Sequence, residues 1–96
     1  MDEGQFEWDA AKGKSNFEKH GVTFEAASGV FDDVFACERF DLESEPGEIR
    51  SVITGVVNDV VLTVVYTERG ERIRIISARK ATKHEQKEYD RSQTAE

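Results

Sequence analysis

Val64-Val65-Tyr66-Thr67-Glu68-Arg69-Gly70-Glu71-Arg72-Ile73-Arg74-Ile75-Ile76-Ser77-Ala78-Arg79-Lys80 reads as two β-strands folded back on a turn at Glu68 to Glu71. Along Arg72–Ala78 the period of two sends Ile73, Ile75 and Ser77 to one face, and Arg72, Arg74, Ile76 and Ala78 to the other. Ile73 and Ile75 need cover from helices, so Arg74 faces the open side of the sheet. Upstream, Arg50 to Val57 and Val60 to Thr67 are rich in β-branched residues, and the two-residue Asn58-Asp59 link suits a tight hairpin. Phe35 to Asp41 supplies a further strand.

The front of the chain is helical. Phe6 and Trp8 alternate with Glu7 as a short strand closing the edge of the core, and Asp9 stands where a helix N-cap belongs. Ala10 to His20 is helical in composition and Gly21 ends it as a C′ glycine. Thr23 caps a second helix, on which Phe24, Ala27 and Phe31, with Val30 and Val34 alongside, form one apolar stripe. The only proline, Pro46 in Glu-Ser-Glu-Pro-Gly-Glu, marks the turn between the helical front and the β-rich back. From Thr82 to about Ser92 the composition is helical and almost wholly polar, so that helix either frays or docks on something else. The expected fold class is α+β: N-terminal helices packed on one face of a twisted antiparallel sheet, with a C-terminal helix. Residues 1–96 make a single domain with a polar tail from about 91.

Charge is unevenly shared. The net charge is −7, yet residues 1–48 carry thirteen acids against four bases and residues 49–96 seven acids against nine bases. Five of those nine lie between Val64 and Lys80, a local positive patch on an acidic body. Nucleic-acid binding would have to rest on that patch and be weak or short-lived. Cys37 has no partner for an internal disulfide; it is read as a half-buried strand residue. His20, Cys37 and His84 lack zinc spacing, Asp32-Asp33 lacks that of a calcium loop, and no cofactor is expected. No apolar run reaches the ~20 residues of a membrane span, and the acidic start lacks a signal-peptide core, so the cytoplasm is the expected location.

Five motifs then fall in order: Phe6-Glu7-Trp8-Asp9-x-x-Lys12, Asn16-x-x-Lys19-His20-Gly21-Val22-x-Phe24, Gly47-Glu48-x-Arg50, Val65-Tyr66-Thr67-x-Arg69-Gly70 and Ile73-Arg74-Ile75-Ile76-Ser77-Ala78-Arg79-Lys80. Together they resemble the BrnT family of toxins of type II toxin–antitoxin pairs, over roughly residues 5 to 90. The resemblance implies a RelE-like, microbial-ribonuclease-type α+β fold and RNA cleavage that halts translation. It also implies neutralisation by a BrnA-type antitoxin carrying a ribbon-helix-helix region, through which alone the toxin reaches operator DNA.

RNA cleavage without a metal needs a base for the 2′-hydroxyl, cations for the dianionic transition state and an acid for the leaving oxygen. Arginine suits the second role, because its planar fork matches phosphate oxygens and stays charged. Arg69 at the hairpin mouth, Arg74 on the open face and Arg79 at the strand end are the candidates, with Lys80 beside them; ordinary solvated arginines are the alternative. Histidine is the side chain suited to proton transfer, so His20 is a candidate that with Lys19 could complete the cluster, or the two could simply cap the helix dipole. Glu68 is the candidate base, whereas Glu48 is read as pairing with Arg50. Tyr66 is open to stacking on a base, to a hydrogen bond with a phosphate, or to a half-buried place between strands. His84, with Lys83 and Lys87, is read as a solvated helix face. The expected activity is a metal-independent endoribonuclease; the alternative is a non-catalytic co-repressor that only binds the antitoxin.

Overall fold

The computed structural model describes residues 5–41 and 49–94. In chain order these form β1 (Phe6–Glu7), α1 (Ala10–His20), α2 (Phe24–Ser28), a 3₁₀ turn (Gly29–Asp32), β2 (Cys37–Phe40), β3 (Ser51–Val57), β4 (Val60–Arg69), β5 (Arg72–Lys80) and α3 (Lys83–Thr94). The class is α+β, with one five-stranded sheet ordered β1-β5-β4-β3-β2. Pro46 and the Glu48–Arg50 pairing involve residues outside those described.

Local signals set most boundaries. The Asp9 carboxylate accepts from the amides of Ala11 and Lys12 at 2.8 and 3.2 Å, which holds α1 open at its start. Gly21 ends it at φ 71°, a left-handed conformation that costs glycine little. Thr23 Oγ1 accepts from the Ala26 amide at 3.0 Å and starts α2. Asn58 and Asp59 adopt φ 51° and 69°, so the β3–β4 turn uses two residues that tolerate this region better than most. Thr82 and Glu85 bond reciprocally through each other's amides, a capping box that starts α3.

Four expectations need correction. The sheet is mixed, not antiparallel: β1 runs parallel to β5, Phe6 opposite Ile73 and Glu7 opposite Arg74. The apolar stripe is broken, because α2 tightens into the 3₁₀ turn after Ser28 and shifts its phase; Val34 is left 89% exposed. The terminal helix takes the docking one of its two expected outcomes, but its end differs: it continues to Thr94, into the expected tail.

The fourth correction concerns parity. The β4–β5 register shifts between Val65 and Tyr66: Val65 faces Ser77 while Tyr66 faces Ile75, so Ile76 is an extra residue. Ala78 therefore lies opposite Val64 and joins Ile75 in the core, both almost fully buried. The same bulge puts Arg79 on the face that Arg74 uses, although five residues separate them.

The core lies between the sheet and α2 with its flanking turns, where Val22, Phe24, Ala27 and Val30 meet Ile53, Leu62, Val64, Ile75 and Ala78. Phe31 bridges Phe6 and Tyr66, with ring centroids 5.3 and 4.9 Å apart, and Trp8 packs edge-on against Phe24. α1 contributes no buried apolar side chain. Its one buried residue, Asn16, donates to the carbonyls of Val22 and Ala78 and accepts from the Ala78 amide at 3.0, 2.8 and 3.1 Å.

Opposite that core, α3 is clasped twice. Glu85 binds Thr63 and Arg79, while Tyr89, only 3% exposed, donates to Asp33 at 2.5 Å. Asp33 also takes the amides of Val56 and Phe35. Burial pushes its carboxyl up, but the Tyr89 hydroxyl and these amides outweigh that and hold it below the ordinary value. The Tyr89 phenol is pushed up to about 12, first by burial and then by Asp33.

Candidate functional site

The turn at Gly70, φ 63°, folds β5 back on β4 and sets Arg69 beside Arg72 and Thr67 beside Arg74. β1 brings Glu7 alongside Arg74, and one carboxylate serves two arginines: Glu7 Oε2 lies 3.1 Å from Arg74 Nη1 and 3.7 Å from Arg69 Nη1. Arg69 remains 59% exposed and Arg74 29%. A cleft of about 780 Å³ opens at this end of the sheet, lined in part by Glu38, Ser51, Tyr66, Glu68, Arg69 and Arg74. Phe40 and Ile49, 68% and 71% exposed, form an apolar rim.

Tyr66 is a core residue whose hydroxyl reaches the cleft wall. It is 5% exposed, packs edge-on against Phe31 and donates to Glu38 Oε1 at 3.2 Å. Burial, then the Glu38 charge, raises its pKa, so it stays a protonated donor at neutral pH.

Arg79 belongs to a different place. It lies five residues beyond Arg74, about 16 Å along an extended strand. There it makes a two-pronged bond to Glu85, 2.8 and 2.9 Å, beneath the start of α3. The Glu85 carboxyl falls to about 2, chiefly because Arg79 holds it, helped by the Thr82 amide and Thr63; the pairing raises Arg79 in turn. Arg39 stands 3.8 Å from the same carboxylate, and a second cleft of about 570 Å³ opens between β2 and α3.

This pair carries a pH dependence of known sign. A depressed carboxyl contributes stability above its unfolded pKa, here 4.5, and loses it as pH falls towards about 2. With Arg79 partly exposed, the contribution is about 2–3 kcal/mol. Urea unfolding between about pH 5 and about pH 2 should show wild type losing that much more stability than Glu85→Gln. Parallel curves would show that the pair adds nothing.

Lys19 and His20 are exposed in the last turn of α1, the end tied to Ala78 through Asn16; Lys80 is exposed at the end of β5. The eight candidate residues thus occupy three places. Tyr66, Glu68, Arg69 and Arg74 share the cleft, Arg79 lies under α3, and Lys19, His20 and Lys80 sit at the chain-distal end of β5. His84 is 83% exposed, 3.9 Å from Glu88. Sequence reasoning missed Glu7, Glu38 and Glu85, carboxylates that meet their partners only through sheet pairing or helix docking. Only Glu85 carried a signal, the Thr82-x-x-Glu85 spacing. Among the described residues no three His, Cys, Asp or Glu side chains are grouped to hold a metal ion, and no helix is long and apolar enough to cross a membrane.

No curated protein matches the chain. The family model described as "Ribonuclease toxin, BrnT, of type II toxin-antitoxin system" matches residues 8–85, from Trp8 before α1 to Glu85 in the first turn of α3, and so takes in most of the cleft and its arginines. By that match the chain belongs to the BrnT family of ribonuclease toxins of type II toxin–antitoxin systems.

Proposed function

We propose that this protein is an endoribonuclease that cleaves RNA without a metal ion, in the cleft at the β4–β5 turn. The observation that carries the reading is the pairing of Arg69 and Arg74 on the single carboxylate of Glu7. Two guanidinium groups held this close suit a phosphodiester, whose oxygens can replace Glu7 as their partner. Glu68, exposed at the cleft wall, takes the proton of the 2′-hydroxyl. The O2′–P bond forms and the P–O5′ bond breaks, with Arg69 and Arg74 stabilising the dianionic transition state and water supplying the proton to O5′. Tyr66 donates its hydroxyl hydrogen bond at the same wall. Arg79, Lys19, His20 and Lys80, remote from Arg74, hold flanking RNA in this scheme.

The apolar rim at Phe40 and Ile49 favours a protein that covers the cleft, and we assign it to an antitoxin of the BrnA type with a ribbon-helix-helix region. Cytoplasmic action follows from RNA as the target. Expression of the toxin alone should arrest growth and fragment RNA, and cleavage by the purified protein should persist in EDTA. Intact RNA and normal growth at verified soluble expression would leave the co-repressor reading. Activity lost with chelator and restored by Mg²⁺ would overturn metal independence.

A further inference from the structure

Resting on the ribonuclease reading, we propose that the outer face of α1 is a stacking platform for single-stranded RNA flanking the cleaved bond. The helix is unusual in what it leaves uncovered. Of its eleven residues only Asn16 is buried, and Phe17 is 52% exposed although the core lies one residue away. Gly21 stands at i+4 from Phe17, so no side chain covers the ring from that turn, whereas the turn at i−4 holds Gly13 against Trp8 and Phe24. The space where a Gly21 side chain would be is open, with nothing within 4 Å. Lys14 and His20, at i−3 and i+3, flank the ring on the helix surface.

Charge points to the occupant. α1 carries Lys12, Lys14 and Lys19 against Glu18, a net of +2, whereas the rest of residues 1–48 holds twelve acids and one base, a net of −11. A cationic helix with a half-exposed aromatic ring, on a body of that sign, matches a polyanion with exposed bases: a phosphate meets Lys14 beside the ring and a base stacks on Phe17, while Lys12 and Lys19, on the other side of the helix, add to its charge. α1 begins three residues after Glu7 and meets Ala78 at Asn16, one turn before its end, so it runs from the Glu7 end of β5 along that strand towards Lys80. At 1.5 Å per residue it spans about 16 Å, room for a few nucleotides.

Fluorescence anisotropy with a labelled single-stranded 2′-O-methyl oligonucleotide, which lacks the nucleophile, tests this against a duplex of the same sequence. Phe17→Ala should weaken single-strand binding roughly tenfold or more and leave duplex binding unchanged, while Phe17→Trp restores it and Phe17→Leu does not. Lys14→Ala should lower the salt slope by about 0.7 for single strands, and Lys87→Ala, on the far helix, should change nothing. If wild type cleaves RNA but Phe17→Ala binds and cleaves like it, the platform is wrong and the cleft stands. Equal losses for single strand and duplex would also overturn stacking, as would full RNA affinity with selective loss of an acidic partner protein. If wild type binds the oligonucleotide and never cleaves RNA, with the Phe17→Ala loss as expected, the ribonuclease reading fails and the platform survives.

Discussion

Arg74→Ala is expected to lower RNA cleavage about 100-fold, the size of effect seen when one donor to a developing oxyanion is removed. Arg74 is the more buried of the two arginines on Glu7, so its guanidinium is the better desolvated and the better fixed. Its loss should leave Glu7 facing Arg69 across 3.7 Å, a longer contact in more water and a poorer phosphate clamp. Stability should change little, because both partners are in part open to solvent and no core side chain is lost. Arg74→Lys should recover part of the rate, as an ammonium keeps the charge and gives up the fork. The measurement is kcat/KM on a defined RNA beside a thermal melt of each variant. Full activity of Arg74→Ala in a folded protein would place the phosphate elsewhere, with the Arg79–Glu85 cleft the next site to test.

The largest loss of stability should come from Asn16→Ala, about 3 kcal/mol. Most helices are held by an apolar stripe, but α1 is tied to the sheet through one carboxamide that donates twice and accepts once. Removing it strands the buried Ala78 amide and leaves two carbonyls short of a donor, so the cost includes their desolvation. For a domain of this size that lowers Tm by roughly 10–20 °C. Asn16→Asp should be at least as damaging at neutral pH, since a carboxylate can accept from Ala78 but cannot donate to either carbonyl. Differential scanning calorimetry gives the loss, and hydrogen exchange should show α1 unprotected ahead of the sheet. A drop below about 1 kcal/mol for the alanine variant would mean that Gly13, packed against Trp8 and Phe24, anchors the helix instead.

The contrast between these residues explains what could be read in advance. Caps and turns announce themselves locally: Asp9, Gly21, Thr23 and Asn58-Asp59 each act within a few residues, and each appears in its expected place. The long β-branched strands were equally plain. β1 was legible as a strand, but its parallel partner was not, since two residues carry no pairing signal. The bulge at Ile76 left one trace, the doubled Ile75-Ile76 that breaks the alternation running from Arg72, but no glycine marks it and an unbroken period of two was read through it. Whether α3 frays or docks stayed open in the sequence because its anchors, Glu85 and Tyr89, bind through hydrogen bonds rather than an apolar stripe. In the candidate site the arginines stood out as a cluster in sequence. Arg79 stands apart from the others because five strand residues separate it from Arg74; which carboxylates would reach each group from β1 and α3 was not legible.

The parallel pairing of β1 with β5 also sets an order of assembly. The β3–β4 and β4–β5 hairpins join neighbours in sequence and can form as each turn closes. Glu7 and Arg74 are 67 residues apart, and no local contact can substitute for theirs. On a ribosome the first strand to emerge is thus among the last to find its place, waiting until β5 has been made. The arginine clamp is incomplete throughout that interval. On the proposed function, a nascent chain of this topology would complete its phosphate site only after β5 has been made, so synthesis itself would delay the onset of cleavage.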